Sequence, residues 1–189
     1  MTIAGACVGF CSHLRRLARD RDAVSAVEFA IVLPFMLLLY IGGAELGDGL
    51  QVQFKVTETA RTVTDLASQY ISIDSSTMSA ILGASSTVIA PYSSSNMVMT
   101  VSQIEVAANA TTGTVSGWSC SLNGTARTVG SSVTLPTNLQ KPSTTIYLIF
   151  GEVTYPYTPQ IGYVVTGTIS MYQSMYFYPR LVSSIQGSC

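Results

Sequence analysis

The sequence predicts an α+β fold: a long N-terminal helix, membrane-spanning in its first half, packed on an antiparallel β-sheet. Three observations lead there. The stretch Phe29 to Ala44, FAIVLPFMLLLYIGGA, is apolar from end to end and flanked by Glu28 and Glu45. Helical patterning continues beyond it to Tyr70 with no proline after Pro34. The second half then offers several β-branched, aromatic stretches with little helix between them, the pattern of an antiparallel sheet.

The apolar run comes first. Its 16 residues rise about 24 Å as a helix, short of the ~30 Å hydrocarbon core. Adding residues 24–27 gives the length but brings Glu28 to the membrane boundary. Arg15, Arg16, Arg19 and Arg21 precede the run, which by the positive-inside rule places the N-terminus in the cytoplasm and the bulk of the chain outside. Pro34 frees the carbonyl of Ala30 and predicts a kink. A cleaved secretory signal is the rival reading. Its basic region would be Arg15 to Arg21, its apolar core Ile31 to Ile41, and its cut site Gly42-Gly-Ala44.

Past the run, Leu46, Leu50, Phe54, Ala60, Val63, Ala67 and Tyr70 recur at near-helical spacing. Gln51, Gln53, Lys55, Glu58, Arg61 and Asp65 fill the opposite face. This is one helix over residues 24–70, half in lipid and half outside.

The remainder, 71–189, reads as an exported α+β domain rich in Ser and Thr. A short helix is expected over Thr77 to Ala84, capped by Asp74 or Ser76. Strands are expected at Met97 to Val106, Thr114 to Leu122, Thr144 to Tyr155 and Tyr163 to Tyr178, with Trp118, Cys120 and Leu122 on one face. Turns fall at Asn123-Gly, Pro136-Thr-Asn and Pro156 to Gly162. The tail tyrosines Tyr147, Tyr155, Tyr157, Tyr163, Tyr172, Tyr176 and Tyr178 suit either a sheet core or a contact surface. Asn109-Ala-Thr and Asn123-Gly-Thr match the glycosylation triplet, which is common by chance in a Thr-rich chain.

Composition narrows the function. Only 10% of the 189 residues are charged, with a net charge of −1, and mean hydropathy is +0.40. Nucleic-acid binding needs clustered Lys and Arg that the exported half lacks. Of the four cysteines, Cys7 and Cys11 precede the apolar run while Cys120 and Cys189 follow it. If the run crosses a membrane, the first pair stays reduced and the second can form a disulfide. Such a bond would contribute about 4 kcal/mol by constraining the unfolded chain. The alternative is four small buried thiols.

The run AVEFAIVLPFMLLL behind an arginine-rich lead, with Glu45 near its end, resembles the TadE-like pseudopilins. These are minor pilins of the tight-adherence (Flp-type) pilus, in the type IV pilus superfamily. VTYPYTP (153–159) and MYFYPRLVSSI (175–185) are fainter echoes. The resemblance implies a pilin-like fold and pilus assembly. It implies a cytoplasmic-side cut by a prepilin peptidase between Ala23 and Val24, with residues 1–23 a basic leader that is removed. Ala23 stands where the family usually has Gly. Glu28 becomes the fifth residue of the mature chain and the assembly residue, pairing with the freed amine of a neighbouring Val24. Implied partners are other pilin subunits, inner-membrane assembly proteins, the peptidase and the membrane. The implied location is the bacterial inner membrane, single-pass, with the C-terminal domain periplasmic or in the pilus. The secreted alternative is an adhesin or binding module released by signal peptidase after Ala44.

Enzyme chemistry lacks its usual parts. His13 is the one histidine and precedes the implied cut, so no Ser-His-Asp or Cys-His set remains. No phosphate loop, HExxH or CxxC occurs, and no cofactor is expected. Glu105 and Glu152 are the one carboxylate pair to weigh as a glycosidase site.

Overall fold

A computed structural model describes residues 21–159 and 167–189, with side chains from residue 24 onward. The expectations for Cys7, Cys11, His13, Arg15, Arg16 and Arg19 lie outside the described residues. So do Tyr163 and the side chain of Ala23.

Helix α1, Arg21–Ser68, runs for 48 residues and passes through Pro34 without a break in assignment. After it come β1 (Ser72–Ile73), α2 (Ser75–Ser86), β2 (Val98–Val106), β3 (Thr112–Leu122), β4 (Ser132–Thr134), β5 (Ile146–Tyr157), β6 (Ile169–Phe177) and β7 (Gln186–Gly187). The fold is α+β. The main sheet has five strands in the order β4-β3-β2-β5-β6, every pairing antiparallel. β1 and β7 form a small parallel pair of their own.

Sequence chemistry explains the elements. Asp74 caps α2: its carboxylate accepts from the Thr77 N–H at 2.7 Å and from Ser76 Oγ at 2.9 Å. Those bonds, the Thr77 backbone first, hold the Asp74 carboxyl down at about 2. Asn123 turns β3 with a φ of 57°, and its Nδ2 donates to Met97 O at 3.0 Å, so its side chain serves the turn. Strand β5 runs on through Pro156 and Tyr157, where the sequence suggests a turn.

The sheet is buried on both faces. Along β5, side chains alternate. Ile149 and Val153 join Val52, Val56, Ala60, Val63 and Ala67 of α1, Met78, Ile81 and Leu82 of α2, Met99 and Val101 of β2, and Met97 just ahead of β2. Leu148 and Phe150 face the other way, into a second cluster with Ile104, Val106, Val115, Val133 and Leu135. The short β4 and the turn at Thr137–Leu139 close that cluster, as the sheet curls over itself. Gly151 sits where α1 crosses closest, against Thr64 and Ala60.

The helix seam differs from the pattern in the sequence. Ala60, Val63 and Ala67 face the sheet, together with Val52 and Val56. Leu46, Leu50 and Phe54 point away and are 65, 52 and 68% exposed. α1 carries two apolar stripes about half a turn apart, and the sheet covers the one with smaller side chains. Val and Ala let helix and strand backbones approach, whereas Leu and Phe would hold them apart.

Candidate assembly interface

The first half of α1 stands clear of the domain. Within the membrane-length apolar stretch no residue is buried. Val24, Val27, Phe29, Ile31, Phe35, Met36 and Tyr40 are all 49% exposed or more. A helix this apolar on every side must be covered by lipid or by other helices, and it fits a membrane anchor. Among the described residues it is the one helix long and apolar enough to cross.

Glu28 lies on this exposed stretch, one helical turn beyond Val24 and on the same face. It projects from α1 ahead of the apolar run. Glu45, at the far end of the run, is different: it is only 6% exposed and packs where α1 meets the domain. Nearby, Gly49 lies against the ring of Tyr157. Burial first, then the charges of Asp48, Tyr92 and Glu45, push the Tyr157 hydroxyl up.

The apolar face does not stop at the end of the run. Val32, Met36 and Leu39 are exposed on the same side of α1 as Leu46, Leu50 and Phe54. With Gly43 they recur at alternating spacings of four and three as far as Leu50, with Phe54 a further four on, the spacing of a helix-packing seam. Next to Phe54, a groove of about 450 Å³ separates α1 from the loop carrying Val88, Pro91 and Tyr92.

Cys120 and Cys189 are joined by a disulfide, their Cα atoms 5.6 Å apart. Cys120 is buried in β3 and Cys189 exposed at the chain end. The bond ties the C-terminus to the sheet beside Trp118.

Glu105 and Glu152 do not converge. Glu152 pairs across the sheet with Thr100, five positions from Glu105 on β2, which separates them by roughly 16 Å. Each has its own partner. Ser116 Oγ contacts Glu105 at 3.4 Å, while Arg127 grips Glu152 through two bonds of 2.5 and 2.7 Å. The Arg127 guanidinium also lies 5.4 Å from the Phe150 ring centre, and Phe150 stacks on Tyr176. This is a structural brace on the outer face of the sheet, and sequence reading missed it because its members lie far apart along the chain.

Tyr172 completes the brace, donating to Glu152 Oε1 at 2.7 Å. Burial, then the bond to Glu152 and its charge, push the Tyr172 hydroxyl up to about 12. The folded chain therefore keeps this proton longer than the unfolded chain, which releases it near pH 10. The stabilisation is complete below pH 10 and is lost as pH rises toward 12. In Tyr172→Phe, the fall in melting temperature across that alkaline window becomes shallower. Melting curves at stepped pH check this, and an unchanged slope refutes it. The other tail tyrosines divide: Tyr157 is buried, Tyr147, Tyr155 and Tyr176 half-buried, and Tyr178 exposed.

Residues 23–65 match the family described as TadE-like protein, so the resemblance read from the anchor holds over that segment. No curated protein and no solved structure matches the chain.

Proposed function

We propose that this chain, TadE-like over its anchor and stalk, is a minor pilin that takes part in assembling a tight-adherence (Flp-type) pilus. The first half of α1 holds it in the bacterial inner membrane. Residues 1–23 form a cytoplasmic leader, kept inside by Arg15, Arg16, Arg19 and Arg21. Residues 71–189 form the exported domain, periplasmic or in the pilus. A prepilin peptidase cuts between Ala23 and Val24, and Glu28 then meets the freed amine of a neighbouring subunit. Its partners are other pilin subunits and the inner-membrane assembly proteins.

The observation that carries this reading is the bare anchor. Its whole membrane-length stretch is exposed, inside the segment that matches the TadE-like family. The stripe from Val32 to Phe54 supports a role in helix–helix packing that extends past the lipid. Release after Ala44 fits less well. That cut would fall in the middle of α1, beside Glu45 where the helix packs on the domain, whereas the cut between Ala23 and Val24 falls within its first turn.

N-terminal sequencing of the mature protein from its native cell tests the proposal. A chain beginning at Val24 is the expected result. A soluble chain beginning at Glu45 would replace the pilin by the secreted module.

A further inference from the structure

The last residues of the chain stand apart from the main sheet. After β6, residues 178–189 cross the C-terminal end of α1, pass Trp118 and finish at the bond to Cys120. The Arg180 N–H donates to Ser68 O at 2.9 Å, and its guanidinium pairs with Asp65. The Ile185 N–H donates to Gln103 Oε1 at 2.6 Å, and its carbonyl accepts from Trp118 Nε1 at 3.0 Å. The Ser188 N–H donates to Ile73 O at 3.0 Å. Gly187 lies flat on the indole, where an added Cβ would stand 2.6 Å from Cδ1.

The non-covalent hold is thin. Ile185 is the one hydrophobic side chain of this strap that is fully buried, and Leu181 is 64% exposed. Ile185, the half-buried Val182, the Arg180–Asp65 pair and a handful of hydrogen bonds, the β1–β7 pairing among them, must offset the ordering of all twelve residues. The covalent bond supplies what they lack. Cys120 is fixed in β3 opposite Val101 of β2, so its position is set by the sheet. Cys189 is exposed and lies outside any strand or helix.

We propose that residues 178–189 are an oxidation-latched strap. The sheet and helices fold first, and the Cys120–Cys189 bond then locks the strap over Trp118 and clamps the end of α1. The chemistry is thiol–disulfide exchange with a disulfide-bonded oxidant of the exported compartment. The Cys189 thiol gives up its proton, and its thiolate attacks one sulfur of the oxidant. The oxidant's other sulfur leaves as a thiolate. The Cys120 thiol then gives up its proton, and its thiolate attacks Cys189 Sγ, forming the bond and expelling the oxidant's remaining sulfur. The chain loses two hydrogens, and the oxidant ends as a dithiol holding both. The presence of that oxidant rests on the exported topology proposed above. The latch itself is tested on purified protein, so either can fail alone.

The chain has a single tryptophan, which makes Trp118 a direct reporter. The full chain in detergent is treated with dithiothreitol, and Trp118 emission and amide exchange are followed. Trp118 emission is expected to move to longer wavelength, and exchange over 178–189 to quicken at least about tenfold. Amides of β2 and β5 should keep their protection. Cys189→Ser should reproduce this without reductant, which excludes any contribution from Cys7 and Cys11. Unchanged emission and strap exchange in both samples would overturn the latch. So would loss of protection in strap and sheet together, because the bond would then belong to the global fold.

Discussion

Gly151→Ala lowers the stability of the domain by about 2–3 kcal/mol, the upper range for overpacking a filled core. Gly151 lies mid-strand in β5, paired with Val101 on one side and Met175 on the other. Its Cα faces α1. An added Cβ would overlap Thr64 Oγ1, stand 3.1 Å from Thr64 Cβ and 3.5 Å from Ala60 O. Thr64 has no room to yield: it is fully buried, and its hydroxyl donates to Ala60 O at 2.6 Å. Two paired strands hold β5 from either side, so the strain passes into the seat of α1 on the sheet. The cause is separable by a double-mutant cycle. Thr64→Ala removes the overlapping oxygen, and the Gly151→Ala, Thr64→Ala pair should recover at least half of the loss. Denaturation midpoints of the full chain in detergent measure all three variants. A single variant within about 0.5 kcal/mol of the wild type, the usual range for innocuous changes, would refute the close approach.

Glu28→Gln cuts surface filaments by more than about tenfold, the least expected from orphaning one member of a desolvated ion pair. The substitution keeps the length of the side chain and removes its charge. After the proposed cut, Val24 starts the helix and Glu28 stands one turn in. The positive end of the helix dipole favours a carboxylate there, and the new amine gives it a partner on the adjacent subunit. In the proposed filament each group alone would be costly near hydrocarbon, and the pair would neutralise both charges and set the axial offset between subunits. The amount of protein in the membrane fraction should stay the same, since a neutral side chain inserts more readily than a charged one. Sheared filaments, quantified against membrane-bound protein, give the result. Normal filament yield from Glu28→Gln would remove this role.

Much of the architecture was legible. The length of α1, the helix capped by Asp74 and the positions of the four long strands follow from patterns of many residues that all point one way. The partner of α1 was harder. Leu46, Leu50 and Phe54 look like the core stripe because they are large. The sheet chose Val52 and Val56, joined by Thr59 and Thr64, both fully buried. Both threonines return their hydroxyls to the backbone four residues back, which removes the cost of burying them. A hydropathy pattern counts those positions as polar and looks elsewhere. β1, β4 and β7 are two or three residues long, too short for any periodicity, and exist because neighbouring chain is already in place. At the candidate interface, the residue types of Glu28 and the apolar run were plain in the sequence. That the apolar face continues to Phe54 became visible once the sheet had claimed the opposite side.

One helix serves both as anchor and as spine of the domain, with no linker between. Its 48 residues form a rod of about 72 Å. In the proposed membrane setting, force applied to the far end of the domain would be delivered along one continuous helix to its apolar end, with Pro34 the point where that helix bends most easily. Short of a bend in the helix itself, tilting one tilts the other. Under load, such a molecule should give way where the rod meets its surroundings, before it stretches within itself.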